Sequence, residues 1–479
     1  MSEDLREQRL QKLEALRRLG VDPFGSRFDR NETAGGCREN YREEREVRVA
    51  GRLTAFRGHG KSAFADLRDA TGRIQLYLRR DTLGEEGWAL IDLLDLGDFL
   101  GAAGTLFTTR KGEISVMVKE LTFLGKSLRP LPEKWHGLKD TEQRYRQRYL
   151  DLISNEQARE VFSRRHRIVR AIRSFLEGKG FTEVETPMMQ PLAGGAAARP
   201  FITRYEALDA RMFLRIAPEL YLKRLLVGGM EKIFELNRNF RNEGLSRRHN
   251  PEFTMLEVYQ AFGDCRTMMA LIEEMVVSVA GEACGSLSIP QEGGETIDLT
   301  PPWRRINYRD LVREYLENPG WFELEAPEMR AQAESRGLEI PPEADGTEIT
   351  QEIYEKLIEP TLLQPTFVLR LPRQLVPLAK ACADDPEVVD VFELEINGQE
   401  IAPGYSELND PLEQRVRFER QLGESAREGD IDEDFLEALE HGMPPAGGMG
   451  IGLDRLVMLL TGAPSIREVI LFPQLKPRN

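Results

Sequence analysis

The feature that most constrains this sequence is a pair of alternating apolar runs on either side of a long charged loop. The runs read "KIFELNRNF" (232–240) and "FTMLEVYQAF" (253–262), and the loop between them reads "FRNEGLSRRHNPEF" (240–253). Apolar–polar alternation has the period of a β-strand, and two such runs joined by a glycine-containing loop predict an antiparallel hairpin. The chain is therefore expected to contain an antiparallel sheet that carries a basic loop.

Alternate residues of a strand point to the same face of a sheet, so each strand of this hairpin is predicted to gather polar side chains on one side. The predicted faces are Glu235, Asn237, Asn239 and Arg241 on the first strand, and Phe253, Met255, Glu257, Tyr259 and Ala261 on the second. The loop arginines supply donors suited to phosphate oxygens, and Phe253 supplies a flat apolar surface for a base. A solvated outer face is the alternative for any one of these residues taken alone.

A second basic element lies near the C-terminus. The stretch "GGMGIGLDRL" (447–456) is predicted to open an apolar helix with four glycines, and Arg455 falls one turn into it. Glycines let a backbone approach a ligand closely, and a helix N-terminus favours anions. The stretch is neither a Walker A loop nor a dinucleotide-binding fingerprint, because it lacks GK[ST] and no strand–helix–strand unit surrounds it. Tight helix–sheet packing is the alternative.

The third element, "FELEINGQEIAPGYSELND" (392–410), is acidic. Asn397-Gly398 predicts a two-residue hairpin turn, which places Glu395 opposite Glu400, with Glu393 a diagonal neighbour on the same face. Three carboxylates on one face repel each other unless they bind a cation or face open water. Oxygen ligands that bridge to phosphate are how Mg²⁺ is usually held, so a magnesium site is one interpretation and a solvated face is the other.

The N-terminal part of the chain predicts a small barrel. Leucines at helical spacing predict a helix over 5–19. From residue 46, "EVRVAGRLTAFR" and "SAFADLRDATGRIQLYLRR" predict three strands, "LGEEGWALIDLLD" a short helix, and "DFLGAAGTLFTTRKGEISVMVKELTFL" two more strands. This is the order of an OB-fold, whose exposed strand face commonly binds oligonucleotides. A barrel that serves only as a spacer is the alternative.

Composition narrows the class of protein. At 479 residues, with 41% hydrophobic and 30% charged residues, the chain has room for two or three domains. No apolar run approaches the roughly 20 residues of a membrane helix and the N-terminus is charged, so a cytoplasmic protein without a membrane partner is expected. Four cysteines without a CxxC pair suit a reducing compartment.

The charge distribution qualifies the acidic total. A net charge of −15 by itself argues against nucleic acid as a partner. However, the first 150 residues carry 28 Lys and Arg against 24 Asp and Glu, whereas the remainder carries 37 against 56. A mildly basic N-terminal region followed by an acidic remainder is compatible with a protein in which one domain alone binds a polyanion.

These stretches together resemble one family, the bacterial-type class II lysyl-tRNA synthetases. "GFTEVETPMM" resembles class II motif 1, "FRNEGLSRRHNPEF" motif 2 and "GIGLDR" motif 3, while "GGAAARPF", "RIAPELYLKRL" and "SELNDP" resemble the lysine-specific members. The resemblance runs from about Glu46 to Pro477. It implies an ATP-dependent lysine–tRNA ligase that activates L-lysine with ATP and transfers it to the 3′ end of tRNA(Lys).

The resemblance also implies an architecture. The fold is expected to be α+β, with an N-terminal OB-fold β-barrel and a class II catalytic domain built on an antiparallel sheet flanked by helices, in a homodimer. The expected domains are a helical extension at 1–45, the anticodon-binding barrel at 46–130, and the catalytic domain at 131–479 with a helical insertion at about 267–377.

Residue roles follow from the resemblance position by position. Arg241 matches the catalytic arginine at the ATP α-phosphate, and Glu393 and Glu400 match the Mg²⁺ ligands. The other implied ATP contacts are Glu243, Arg248, His249, Asn250, Phe253 and Arg455, the last two as a sandwich around adenine. The implied lysine contacts are Gly195, Glu219, Glu257, Tyr259, Tyr405 and Glu407, with Glu219 at the α-ammonium and Glu407, helped by the Tyr259 hydroxyl, at the ε-ammonium. The implied anticodon contacts are Phe64, Gln75 and Glu113.

One position departs from the family pattern. Pro403 stands where the family usually has asparagine, near the carboxyl end of the substrate. Proline supplies neither a side-chain amide nor a backbone N–H, so a substrate contact is lost there. Strict alternation would also place Glu400 and Glu407 on opposite faces, which predicts a bend in this strand.

Three other functions compete with this interpretation. A relative that attaches a modified or β-lysine to a protein would lack the barrel that this chain has. A non-catalytic relative would be expected to lose Arg241, Glu400 or Arg455, and all three are present. An aspartate- or asparagine-specific relative would need a cationic pocket, whereas Glu219 and Glu407 are anionic.

Overall fold

The computed structural model describes residues 2–132, 138, 140–196, 198–422 and 431–477. Two compact units divide the chain, one formed by Met1–Asp140 with Tyr149–Ser154 and the other by Thr141–Arg148 with Asn155–Asn479. Across the described residues, no helix is long and apolar enough to cross a membrane.

The N-terminal unit is built around a closed barrel in which the strands follow the order β1-β2-β3-β5-β4. Its elements are α1 (Ser2–Arg18), α2 (Ala34–Glu39), β1 (Glu46–His59), β2 (Ser62–Arg68), β3 (Arg73–Arg79), α3 (Arg80–Ala89), a 3-10 turn (Ile91–Leu93), β4 (Phe99–Thr108) and β5 (Ile114–Gly125). Alternate side chains of each strand fill the interior of the barrel, as Ile74, Leu76 and Leu78 of β3 show, since all three are buried. The predicted OB-fold is confirmed.

A buried ion cluster stabilises one end of this barrel. The Nζ of Lys126 donates to the backbone oxygen of Leu93 at 2.8 Å, to Asp95 at 2.6 Å and to Asp98 at 2.9 Å. The second oxygen of Asp98 accepts the backbone amide of Ser127 at 2.8 Å. Because the side chains of Lys126 and Asp98 are fully buried, these hydrogen bonds replace the water that both charges have lost.

The remaining elements belong to the second unit, except that Tyr149–Ser154 of α5 belong to the first. They are α4 (Thr141–Arg146), α5 (Arg148–Ser154), α6 (Glu156–Gly178), β6 (Thr182–Glu183), β7 (Met189–Gln190), β8 (Ile202–Tyr205), a 3-10 turn (Glu206–Leu208), β9 (Ala210–Leu214), α7 (Glu219–Val227), β10 (Lys232–Phe240), β11 (Glu252–Ala261), α8 (Cys265–Cys284), β12 (Ser288–Pro290), β13 (Thr296–Asp298), β14 (Arg304–Asn307), α9 (Tyr308–Leu316), a 3-10 turn (Trp321–Glu323), α10 (Ala326–Ser335), α11 (Gly346–Ile353), a π turn (Tyr354–Ile358), a 3-10 turn (Glu359–Thr361), β15 (Thr366–Leu369), β16 (Val391–Glu395), β17 (Glu400–Ser406), α12 (Pro411–Leu422), α13 (Glu433–Glu440), β18 (Ala446–Gly452), α14 (Leu453–Thr461) and α15 (Ile466–Val469).

An eight-stranded sheet in the order β14-β15-β16-β17-β18-β11-β10-β6 carries this unit. Its centre is antiparallel as predicted, but the pairs at its two edges, β14 with β15 and β10 with β6, are parallel. Helices α6, α8 and α14 cover one face, where Phe234, Val258 and Ile451 enter the main apolar core. Residues next to them in sequence therefore point to the opposite face, where Ile233 and Tyr259 pack in a second apolar cluster with residues of α7 and α13.

Two expectations about this unit need correction. The region predicted as a helical insertion, 267–377, supplies strands β14 and β15 and most of α8, which are parts of the sheet and its packing. Its remaining helices form a separate apolar cluster around Trp321. The sequence from about residue 142 also predicts a long helical region ending at Gly180, and the structure divides it, because the side chain of Asn155 accepts the amides of Gln157 and Ala158 and so begins α6.

Candidate active site

The central hairpin has the predicted form. β10 and β11 pair so that Glu235 lies opposite Glu257 and Asn239 lies opposite Phe253. The two predicted polar faces are therefore a single face of the sheet. Glu235 forms an ion pair with Arg215 at 2.6 Å, and both side chains are almost fully buried. Glu257 lies on β11, which also pairs with β18, and is therefore the carboxylate nearer the centre of the sheet.

The loop after β10 closes over the end of this face. The amide of Arg241 donates to the backbone oxygen of Pro251 at 2.9 Å. The Arg241 guanidinium lies 5.2 Å from the centre of the Phe253 ring, and its buried Nε has no partner among the described residues. Glu243 is exposed at the rim of a cavity of about 610 Å³ with Arg199. A cationic group and an aromatic ring thus lie together beside an open cavity.

The loop also meets the start of α14. Arg455 reaches His249 at 3.2 Å with one nitrogen and donates with another to the backbone oxygen of Glu400 at 2.8 Å. Burial, and then the charge of Arg455, lowers the pKa of His249, which keeps this imidazole neutral. Arg248 lies 3.5 Å from Glu359. The three elements that the sequence singled out therefore converge.

Asn250 is placed differently from the expectation of an ATP contact. Its side-chain oxygen accepts the amide of Gln474 at 3.1 Å, and its nitrogen donates to the backbone oxygen of Glu252 at 2.5 Å. Both ends of the amide bind backbone groups, so Asn250 holds the loop in shape, and its contact with ATP stays a prediction.

The acidic hairpin carries a cluster of carboxylates. Asn397 and Gly398 both have positive φ and Glu395 pairs with Glu400, as the two-residue turn predicts. Burial, and then the charge of Glu400, raises the pKa of Glu393 well above its usual value. Glu359 joins them, and its own pKa is raised by burial and by Glu400. Closely spaced carboxylates of this kind favour a cation.

A bulge supplies the bend that was predicted in β17. The register of the β16–β17 pair shifts between Leu394 and Glu395, so that Glu395 pairs with Glu400 while Leu394 pairs with Ala402. Pro403 lies opposite Glu393, and the pairing of β17 with β18 begins only at Gly404. Proline cannot donate to a neighbouring strand, which agrees with β17 and β18 separating at this point.

Behind the basic loop, three carboxylates converge in a buried pocket. Glu219 begins α7, Glu257 lies on β11 and Glu407 follows β17, and each is less than one-tenth exposed. Tyr405 donates its hydroxyl to Glu219 at 2.8 Å. The hydroxyl of Tyr259 donates to Glu257 at 3.2 Å, rather than serving Glu407 as expected.

Burial disfavours the ionised form of two of these carboxylates, Glu257 and Glu407. Burial, and then the charge of Glu219, raises the pKa of Glu257 to about 8. Burial likewise raises the pKa of Glu407 to about 8, although Lys223 opposes the rise. Neither oxygen of Glu407 has an aligned hydrogen-bond donor within the part of the chain that the structure describes. The pocket therefore has acceptor capacity for a positively charged group.

Glycines make this pocket possible. Gly195 has a φ of 84°, and a Cβ there would lie 3.5 Å from the Cβ of Glu219. The glycines expected to open a helix instead lie mostly in strand β18, and α14 begins only at Leu453. A Cβ on Gly448 would lie 1.9 Å from Glu407, and one on Gly450 would lie 3.2 Å from Glu257. Their role is to make room for carboxylates on a sheet face.

The pocket opens to a larger cavity of about 1220 Å³, which Gly195, Glu219 and Tyr405 line together with residues of α12. A small molecule in this cavity can therefore reach Glu219.

One residue of the pocket escaped the sequence analysis. Lys223 lies on α7 four residues after Glu219, is fully buried, and places its Nζ 2.8 Å from Glu219 and 2.5 Å from Glu407. The helical spacing of Glu219 and Lys223 was a signal that could have found this contact.

The barrel brings together its three predicted site residues on one outer face. Phe64 pairs with Tyr77 across β2 and β3, and their rings stack with centroids 4.6 Å apart. Gln75 is next along the same face and accepts the hydroxyl of Ser115, while Glu113 binds Arg73 at 2.8 Å. Phe64 is half-buried and does not belong to the apolar core of the barrel.

This combination of barrel, sheet and basic loop defines a class of protein. Residues 140–476 match the family described as tRNA synthetases class II (D, K and N), and residues 47–124 match the OB-fold nucleic acid binding domain of the anticodon-binding type. The chain belongs to the class II tRNA synthetases.

Individual relatives are similar over their whole length. A protein of Syntrophomonas wolfei named lysine–tRNA ligase is 53% identical, and the similarity covers 99% of this chain and 98% of the relative. A lysine–tRNA ligase of Moorella thermoacetica is 54% identical over the same shares of both chains. One of Staphylococcus aureus is 49% identical over the full length of both.

Proposed function

We propose that this chain is a lysine–tRNA ligase, which joins lysine to ATP as an adenylate and then transfers the lysyl group to tRNA(Lys). The observation that carries the proposal is the buried pocket in which Glu219, Glu257 and Glu407 converge. A buried ammonium demands a paired carboxylate, and a site built for such a charge strongly rejects uncharged analogues. An aspartate or asparagine substrate would need a cation for its side chain, whereas the ammonium of Lys223 in this pocket is already held by Glu219 and Glu407.

In this proposal the two ends of lysine bind different carboxylates. Glu219, with Gly195 and Tyr405 beside it, takes the α-ammonium, and Glu407 takes the ε-ammonium. Glu257 adds negative charge between them, and Tyr259 fixes its orientation through their hydrogen bond. The proximity of Gly195 to Glu219 supports the first assignment, and the unused oxygens of Glu407 support the second.

The basic loop and Arg455 form the proposed ATP clamp. Arg241 faces the α-phosphate, Arg248 and His249 face the outer phosphates, and Phe253 with Arg455 encloses the adenine ring. Glu243 at the rim contacts the adenine amino group. The first step needs no protein nucleophile, because the lysine carboxylate attacks the α-phosphate itself. Alignment of the two substrates and charge stabilisation by Arg241 then account for the rate.

Mg²⁺ fits the acidic cluster, and Glu393 and Glu400 are the residues that would hold it. The raised pKa of Glu393 supports this fit, because a cation would relieve the repulsion that causes the rise. No group of three or more His, Cys, Asp or Glu side chains in the described residues is arranged to enclose a metal ion by itself, so phosphate oxygens of ATP would complete the ligand set. When bound, the ion would neutralise phosphate charge.

The barrel face and the assembly complete the proposal. Phe64 stacks on an anticodon base while Gln75 and Glu113 read its polar edge, which is how single-stranded RNA is recognised. Large exposed apolar side chains near motif 1 suit a homodimer contact. They are Met188, Met189, Ile202, Tyr205 and Leu208. The assigned site of action is the cytoplasm.

Pyrophosphate exchange with each amino acid in turn tests this function. Lysine should support exchange and aspartate should not, and the reverse result would refute the pocket assignment. Arg241→Ala should reduce exchange by about 10²–10³-fold while the protein stays folded, because a charge-stabilising donor is removed.

A further inference from the structure

We propose that Lys223 is a positioning residue of the amino-acid pocket, which holds one oxygen of Glu219 and one of Glu407 so that both carboxylates stay oriented towards the ammonium groups of the substrate. The inference rests on the proposed lysine pocket and adds to it a residue that never needs to touch the substrate.

The geometry of the contacts carries the inference. Nζ of Lys223 reaches Oε1 of Glu219 at 2.8 Å and Oε2 of Glu407 at 2.5 Å. Tyr405 also donates to Oε1 of Glu219, so two donors share one oxygen. Oε2 of Glu219 and Oε1 of Glu407 are therefore the atoms left for a ligand. Neither Lys223 contact has the angle of an aligned hydrogen bond, so charge and position dominate.

The charge balance points the same way. The titratable groups that face the pocket are Glu219 and Lys223 from α7, Glu257 and Tyr259 from β11, Tyr405 and Glu407 from β17 and its end, and Arg241 from the loop after β10. Burial alone would lower the pKa of the Lys223 ammonium, but the two carboxylates raise it above its usual value. Lys223 in turn opposes the rise in the pKa of Glu407. Without it, three buried carboxylates would share the pocket with Arg241 alone.

The chain offers a matched control. Lys126 in the barrel is also fully buried between two carboxylates, at 2.6 Å and 2.9 Å. Changing either lysine to methionine removes one buried positive charge from a similar environment between two carboxylates. The two variants should lose stability alike, but a change in lysine recognition should follow from Lys223→Met alone.

The test is lysine-dependent pyrophosphate exchange at several pH values between about 6.5 and 9, the range that brackets the raised carboxyl pKa values. For Lys223→Met we expect the lysine KM at neutral pH to rise by at least about tenfold, because each pH unit of carboxyl shift is worth a factor of ten. The KM should approach that of the wild type as pH rises, while kcat and the ATP KM stay close to wild type.

A second readout follows protons directly. Calorimetric titration with lysine at about pH 8.5, repeated in buffers of different ionisation enthalpy, measures proton release on binding. The wild type should release few protons there, whereas Lys223→Met should release about one more, because its carboxyls are still protonated before binding.

Several outcomes would overturn the inference. They are a lysine KM of Lys223→Met within twofold of the wild type at every pH, tighter lysine binding in the variant, or a pH-independent loss shared with Lys126→Met. If Lys223→Met does not fold, the comparison moves to Glu407→Gln with and without Lys223→Met. The double variant should have a lysine KM no worse than Glu407→Gln alone, and additive losses would refute the coupling. Absence of lysine-dependent exchange in the wild type would instead refute the proposed function.

Discussion

Lys126 and Lys223 are both buried between two carboxylates, one in the barrel and one in the catalytic unit. Lys126 donates three well-aligned hydrogen bonds, and Asp98 uses its second oxygen on the backbone amide of Ser127. Lys223 is as close to its partners, but it contacts only one oxygen of each carboxylate, and Oε1 of Glu407 has no donor among the described residues. The first cluster is complete within the protein, and the second is not.

The difference separates a structural ion pair from a binding site. Buried polar atoms are normally hydrogen-bonded, so a buried carboxylate without a donor requires an explanation. In the catalytic unit, the binding of a ligand that carries its own ammonium group provides this explanation. Burial and charge alone would have assigned the two lysines the same role, whereas the hydrogen-bond geometry does not.

The largest expected effect comes from neutralising the incomplete cluster. Glu407→Gln removes the charge that meets the ε-ammonium and leaves a buried cation, so we expect kcat/KM for lysine to fall by about 10³-fold, equivalent to roughly 4 kcal/mol. The measurement is pyrophosphate exchange at varied lysine concentration. Asp98→Asn is the matched change in the complete cluster and should leave the lysine KM unaltered. A tenfold or smaller loss for Glu407→Gln would contradict the distinction.

A change in the complete cluster around Lys126 should affect stability and not lysine recognition. Lys126→Met leaves Asp98 as an uncompensated buried charge, whereas Asp95 keeps its contact with Lys12 at 2.9 Å, so the barrel should lose about 3–5 kcal/mol in its free energy of unfolding. Urea unfolding followed by the fluorescence of Trp88, which packs against the barrel core, measures this loss. An unchanged unfolding midpoint would show that the hydrogen bonds around Lys126 are not needed.

The same contrast explains which features could be predicted from the sequence. Local rules were sufficient for the β10–β11 register and the Asn397-Gly398 turn, because alternation and turn chemistry are local properties. The contact between Lys223 and Glu407 joins residues far apart in the chain and depends on how α7 packs beside β17. No periodicity carries that information.

The glycines of β18 show a second limit. Their density favoured a helix start with space for a ligand, but the reason for Gly448 is the position of Glu407 on the neighbouring strand. A glycine required by a side chain elsewhere in the fold has the same sequence signature as one required by its own backbone. The strands β14 and β15 were missed for a related reason, since each has four residues, too few for alternation to be visible.

A smaller effect is expected at the barrel face, where a ring and not a charge is proposed to act. Phe64→Ala removes a base-stacking surface worth about 1–3 kcal/mol, so tRNA charging should weaken by roughly tenfold or more. Lysine-dependent pyrophosphate exchange, which needs no tRNA, should be unchanged in the same preparation. Equal losses in both assays would indicate that Phe64 supports the fold of the barrel.

The smallest expected effect is the pH dependence of lysine binding in the wild type. The pKa values of Glu257 and Glu407 are each about 8 in the protein without substrate. An ammonium binds a carboxylate better than a carboxylic acid, so below this pH a proton must leave before lysine is held. The lysine KM should therefore fall roughly tenfold for one released proton as pH rises from about 6.5 to 8 and level off above about 9, since linkage permits at most tenfold per pH unit for each proton released.

The ATP KM gives the internal control for this pH dependence, because His249 has a lowered pKa and so stays neutral over the same range. A lysine KM that is flat across this range would mean that both carboxyls are already ionised in the free pocket. In that case Lys223 would compensate Glu407 as completely as Lys126 compensates Asp98, and the distinction between the two clusters would rest on hydrogen-bond geometry alone.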